Sequence, residues 1–221
     1  MALPAVLFDL DGTLLDTAPD MIGSLNSLCV ENGLTPLPFD AARAEVSHGS
    51  ARLVHLGFPD VDAKRFAVLQ RRFLDIYRGR LSAETRLFDG MDSVLCELSR
   101  RGVAVGIVTN KPAWLTDALF GQLELRPRFG CVVSGDTVSE RKPHPLPMLH
   151  AAKLLGVRAD ACVYVGDAER DVQAAHAAGM RALVAVYGYL RAGEDWRAWG
   201  GDGFIERPGD LLAWLDRHTS A

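Results

Sequence analysis

Short apolar runs alternating with helical-period stretches dominate the chain from about residue 86 onward. VAVGIV (103–108), CVV (131–133), ACVYV (161–165) and ALVAV (182–186) are too short for helices and rich in valine, the mark of strands buried on both faces. Between them lie an amphipathic stretch after Pro112, another over 146–155 ending at Gly156, and a third over 169–178 ending at Gly179. Both glycines suit helix C-caps. Strands alternating with helices predict right-handed crossovers and an α/β fold: a Rossmann-like parallel sheet with helices on both faces. AVLF, at residues 5–8, adds one more strand.

Residues 16–84 break this rhythm. Met21, Ile22, Leu25, Leu28 and Cys29 repeat at helical spacing, as do Phe66, Leu69, Phe73, Leu74 and Tyr77. SHGS (47–50) and GFPD (57–60) read as turns. A small helical module over 16–84 is therefore expected between two parts of a discontinuous α/β core, residues 1–15 and 85–221.

Polar residues follow several of the apolar runs. Asp9 and Asp11 follow AVLF, Thr109 and Asn110 follow VAVGIV, Ser134 follows CVV, and Asp167 follows VYVG. In an open parallel sheet the loops at the strands' carboxyl ends line the ligand crevice. The expected fold thus gathers residues 9, 11, 109, 110 and 167, and Asp171 joins them from the first turn of the next helix. Singly, each aspartate could be a turn former or a helix cap. Together they repel one another and call for a counter-ion. An all-oxygen donor set favours Mg²⁺, which takes few carboxylates and accepts phosphate oxygens.

Composition narrows the function further. The 221 residues carry a formal charge of -4 with 48% hydrophobic and 24% charged positions, too apolar for disorder and without the basic excess of a nucleic-acid binder. Cys29, Cys96, Cys131 and Cys162 form no CxxC pair and read as buried apolar residues of a reducing compartment. No HExxH motif occurs. No basic leader precedes Asp9, and no apolar run approaches the ~20 residues of a membrane span. A cytoplasmic protein without membrane or nucleic-acid partners is expected, as a monomer or weak homodimer.

Asp9-Leu-Asp11-Gly-Thr13, then Thr109-Asn110, Lys142-Pro143, and Gly166-Asp167-Ala-Glu-Arg-Asp171, in this order, resemble the four motifs of the haloacid dehalogenase-like hydrolase superfamily. The resemblance implies that Asp9 attacks phosphorus to form an aspartyl-phosphate and that Asp11 protonates the leaving alcohol and then activates water. It implies that Thr109, the Asn110 backbone N–H and Lys142 hold the transferring oxygens. Mg²⁺ would be bound by Asp9, the main-chain carbonyl of Asp11 and Asp167, with Asp171 orienting. Ala168 departs from the hydroxyl or acidic residue often found there, which touches only an auxiliary hydrogen bond. The helical module resembles that superfamily's cap domain, which would bring His48, Gly49 and Arg52 toward the non-reacting part of a substrate. Asp11 points to a phosphatase, since dehalogenases lack that second aspartate.

The overall pattern is similar to the phosphoglycolate phosphatase group. Val186-Tyr-Gly-Tyr189 and Trp196-Arg-Ala-Trp-Gly200 are also similar to the branch that dephosphorylates N-acetylmuramic acid 6-phosphate, where aromatics could stack on a sugar or simply pack. The expected activity is hydrolysis of a small phosphorylated metabolite, most simply 2-phosphoglycolate. The alternatives are N-acetylmuramic acid 6-phosphate hydrolysis and a phosphosugar mutase of the same superfamily.

Overall fold

A computed structural model describes residues 5–219. The first part runs β1 (Ala5–Phe8), β2 (Leu15–Asp16), α1 (Ala18–Glu31), α2 (Phe39–Arg43), α3 (Gly49–Gly57), α4 (Ala63–Arg78) and β3 (Arg86–Leu87). The second runs α5 (Met91–Arg100), β4 (Val105–Val108), α6 (Ala113–Gln122), β5 (Cys131–Val133), α7 (Leu146–Leu155), β6 (Cys162–Gly166), α8 (Glu169–Ala177), β7 (Arg181–Ala185), β8 (Gly203–Ile205) and α9 (Asp210–Thr219).

Six strands form a parallel sheet in the order β5-β4-β1-β6-β7-β8. The chain builds outward from β1 to β5, then returns to the other side of β1 with β6, so the loops after β1 and β6 diverge and open a crevice. The register aligns these exits. Phe8 pairs with Ile107 and Val165, and the Asp9 N–H donates to the Val165 carbonyl at 2.9 Å. Period-two alternation along β1 sends Val6 and Phe8 to one face with α5, α6 and α9, and Ala5 and Leu7 to the other with α7 and α8.

Helices α1 to α4 lie between β1 and β4 in sequence, and β2 pairs antiparallel with β3 where the chain leaves and returns. Helix α1 buries Met21, Ile22, Leu25, Leu28 and Cys29, as its spacing predicts. In α4 the Asp62 side chain caps the N-terminus through the Arg65 N–H, and Leu69, Phe73 and Tyr77 form its buried stripe. These side chains join the apolar cluster of Val6 and Phe8 without a break. At about 1.5–3 kcal/mol per buried side chain of this size, the helices are seated firmly on the sheet.

Two expectations change, and one strand is added. SHGS is not a simple turn: a 3-10 turn over Val46–His48 leads directly into α3, whose Leu53 and Val54 are buried. Strand β8 carries little apolar signal because it is only GFI, with Gly203 and with Phe204 54% exposed. Cys96 is exposed, unlike the other three cysteines, because it sits on the polar side of α5 between buried Leu95 and Leu98. Among the described residues no helix is long and apolar enough to cross a membrane.

Candidate active site

Asp9 leaves β1 buried at 3% exposure. Its Oδ1 accepts the Leu10 N–H at 2.7 Å and lies 2.9 Å from Lys142 Nζ. Both contacts fall on one oxygen, which leaves Oδ2 for a reacting partner. Lys142 Nζ is also 2.7 Å from Asp171 Oδ1 and donates to the Val108 carbonyl at 3.0 Å and to the Tyr164 hydroxyl at 2.8 Å. The ammonium therefore ties together the ends of β1, β4, β6 and α8. Asn110 clamps its backbone: the amide oxygen accepts the Lys142 N–H and the amide nitrogen donates to the Lys142 carbonyl, both at 3.0 Å.

Asp167, at the end of β6, takes the Tyr189 N–H at 2.9 Å and the Ser47 hydroxyl at 2.6 Å on Oδ2. Its buried Oδ1 has no partner. Asp171 accepts the Ala168 N–H at 3.1 Å. One carboxylate oxygen each from Asp9, Asp167 and Asp171 falls within a 4.8 Å cluster. Burial, then the charges of Asp9 and Asp171, push the Asp167 carboxyl up to about 7, and burial also raises Asp171 despite Lys142. An orphaned buried carboxylate oxygen among three aspartates, which Lys142 and nearby Arg170 balance only in part, fits a divalent cation with oxygen ligands.

Small residues permit this crowding. A Cβ on Gly12, whose φ is +85°, would lie 2.1 Å from Asp167 Oδ2, and one on Gly188 would lie 2.4 Å from Asp167 Cβ. Gly12→Ala is therefore expected to dislodge Asp167 as well as strain the backbone, weakening metal affinity about tenfold or more. Calorimetric titration of the metal into the folded variant measures it.

The second aspartate faces elsewhere. Asp11 accepts from Lys111 Nζ at 2.9 and 3.2 Å and from the Thr17 hydroxyl at 2.7 Å. Its side chain stands outside the three-carboxylate cluster. Lys111 also donates to the Tyr77 hydroxyl at 2.9 Å. Burial opposes its charge, but Asp11 and Tyr77 outweigh burial and raise its pKa. Buried Thr109 uses Oγ1 to accept the Lys111 N–H at 3.2 Å.

A cavity of about 420 Å³ opens over these groups, walled by Asp9, Asp11, Thr109 and Lys111 below and by Ser47, His48, Gly49, Phe73 and Tyr77 above. His48 and Gly49 thus reach the site. Arg52 does not line it: its guanidinium pairs with Glu45 at 2.6 Å. Arg170 and Arg141 line it instead, and Arg170 donates to the Ser47 carbonyl at 2.6 Å. Burial, then Arg170 and Arg191, lower the His48 pKa. The aromatics of 186–200 are packing residues. Tyr189 is 2% exposed, with its hydroxyl bound to Asp16 and the Ala18 N–H, Tyr187 bonds the Thr13 carbonyl, Trp196 packs on Phe204, and none of them lines the cavity.

Sequence reasoning missed Lys111, Ser47, Tyr77, Arg141 and Arg170 as site residues. Lys111 directly follows Asn110, but a lysine after two site residues carries no spacing signal that separates it from a solvated one.

The family model for the haloacid dehalogenase-like hydrolase matches residues 6–185. A phosphoglycolate phosphatase of Xanthomonas campestris pv. campestris is 44% identical over 94% of this chain and 94% of its own length. An N-acetylmuramic acid 6-phosphate phosphatase of Pseudomonas putida is 34% identical over 98% and 97%. The crystal structure of a predicted phosphoglycolate phosphatase from Haemophilus somnus superposes with a TM-score of 0.86 at 25% identity, covering 97% of this chain and 98% of that one. With its motifs gathered at one end of the sheet and its length matched by these relatives, the chain belongs to the haloacid dehalogenase-like hydrolase family.

Proposed function

We propose that the chain is a phosphoric monoester hydrolase that uses Mg²⁺ and acts on a small phosphorylated carboxylic acid, 2-phosphoglycolate first among them. The observation that carries the reading is the buried cluster of Asp9, Asp167 and Asp171 around Lys142, with Asp9 opening into the cavity. Residues 16–84 serve as a cap over a core made of 1–15 and 85–221.

Asp9 Oδ2 attacks phosphorus, the ester bond breaks, and an aspartyl-phosphate forms on Asp9. Asp11 gives its proton to the leaving oxygen, then takes one from the water that hydrolyses the acyl phosphate. Lys142 offsets the charge of Asp9 and Asp171, and Thr109 with the Asn110 N–H orients the transferring oxygens. Asp9, Asp167, Asp171 and the main-chain carbonyl of Asp11 would hold Mg²⁺, which when bound offsets the charge of nucleophile and substrate. Ser47, His48, Phe73 and Tyr77 roof the cavity and limit the access of bulk water to the intermediate.

A panel of monoesters with and without Mg²⁺, containing 2-phosphoglycolate and N-acetylmuramic acid 6-phosphate, tests the reading by phosphate release. Faster release from the first ester, abolished by chelation, is the expected outcome. Release from the muramic ester alone would assign the activity of the 34% identical relative, and isomerisation of a sugar phosphate without net release would indicate a mutase.

The raised Asp167 pKa has a pH signature. An ordinary aspartate titrates near ~4, whereas Asp167 titrates at about 7 because of burial and its two acidic neighbours. Between those values the metal-free native state holds a proton that the unfolded chain has released, so stability falls as pH rises through that window, by on the order of a few kcal/mol. Thermal melts of the metal-free chain should show this decline, with Asp167→Asn much flatter. Protons also compete with metal at this carboxylate, so apparent Mg²⁺ affinity should weaken as pH drops below about 7.

A further inference from the structure

We infer that Lys111 and Tyr77 form a two-donor clamp that reads a carboxylate on the carbon next to the ester oxygen, making the chain selective for phosphate esters of α-hydroxy acids. The inference rests on the phosphatase reading above and names its substrate class. Lys111 Nζ lies 2.9 and 3.2 Å from the two carboxylate oxygens of Asp11, the residue that serves the leaving oxygen. Its ammonium therefore stands beside the leaving group, on the alcohol side of the site. In an α-hydroxy acid ester the carboxylate carbon is two bonds from that oxygen, which places the anion within reach of this cation. In N-acetylmuramic acid 6-phosphate the lactyl carboxylate sits across the sugar ring from the ester and cannot reach it.

The tyrosine completes the pair. Tyr77, on α4, accepts from Lys111 Nζ at 2.9 Å, and its own hydroxyl hydrogen meets no acceptor among the described residues. Both side chains are buried, at 7% and 1% exposure, yet both line the cavity. A buried lysine–aspartate pair is weak evidence of a stabilising role. This one is placed where the helical roof touches the floor, so a ligand carboxylate would take the longer Lys111 contact and the free Tyr77 donor together. The two arginines of the cavity each hold a backbone carbonyl with one nitrogen, Arg170 that of Ser47 and Arg141 that of Gly135, and Arg170 Nε is buried without a partner, but Lys111 is the cation that bonds Asp11.

The test compares 2-phosphoglycolate with 2-hydroxyethyl phosphate, a neutral ester of the same length, in steady-state kinetics on the full chain with Mg²⁺. The wild type should prefer the acid. Lys111→Gln should reduce the kcat/KM ratio of acid to neutral ester by about tenfold to 100-fold, chiefly through KM, the size of a lost charge-assisted hydrogen bond. Lys111→Arg should recover part of the ratio, and Tyr77→Phe should lower it several-fold. Equal losses on both esters would show that Lys111 only positions Asp11 and would overturn the clamp. So would an unchanged ratio in Lys111→Gln with a collapsed one in Arg141→Gln. A wild-type ratio near one overturns it without any variant, should Lys111→Gln fail to fold. Phosphate release from neither ester, nor from any other monoester, would remove the phosphatase reading itself.

Discussion

Asp9→Asn is expected to lower kcat by about 10⁴-fold or more while the chain stays folded. The amide fills the same space at the end of β1 and can still accept the Leu10 N–H bond that Asp9 Oδ1 accepts, but it cannot attack phosphorus. Asp9 is also one of the two charges that raise the Asp167 pKa. The substitution therefore relieves repulsion in the metal-free cluster, and the Asp167 titration should move toward the ordinary carboxylate range. Activity assays and a pH series of thermal melts on the same sample separate the two consequences. A variant that retains more than a few per cent of turnover would mean that another group attacks the ester.

Lys142→Met is expected to damage stability as well as rate. The Lys142 side chain is fully buried between Asp9 at 2.9 Å and Asp171 at 2.7 Å, whose side chains are 5% and 1% exposed. Methionine matches its length and removes its charge. Two buried carboxylates then face each other with no cation between them, a loss of about 3–5 kcal/mol in the metal-free chain. Chemical denaturation checks the figure, and Mg²⁺ should restore part of the loss because it supplies charge to the same carboxylates. Stability that matched the wild type without metal would show that the ammonium is not needed to balance them.

The parts of the fold legible in the sequence were those whose physics is local. Apolar runs bounded by turn residues gave five of the six parallel strands, β8 excepted, and Gly156 at the end of α7 takes the left-handed cap its position predicts, with φ +68. The six-stranded parallel sheet with helices on both faces follows from that rhythm. Helix α5 escaped it although Met91, Val94, Leu95 and Leu98 carry a full period, because it begins where the inserted helices return to the core. Helix α2 is too short for periodicity to mark.

At the site, charge was readable and contact was not. Aspartates placed after apolar runs pointed to a shared pocket, and Asp9, Asp167 and Asp171 do converge. Which cations accompany them depends on long-range packing. Lys111 reaches Asp11 across 100 positions of sequence, and Ser47 reaches Asp167 across 120. Arg52 looked like a substrate contact because it follows SHGS, yet α3 carries it toward Glu45. The same helix leaves His48 and Gly49 at the cavity mouth.

The central claim is that Asp9 carries the phosphoryl group during turnover. Acid-quenching the enzyme at steady state on 2-phosphoglycolate with Mg²⁺, reducing the acyl phosphate with borohydride and sequencing the peptides tests it most directly. The account predicts homoserine at position 9 and nowhere else. Unmodified Asp9 under conditions of full turnover, or reduction at another residue, would contradict it.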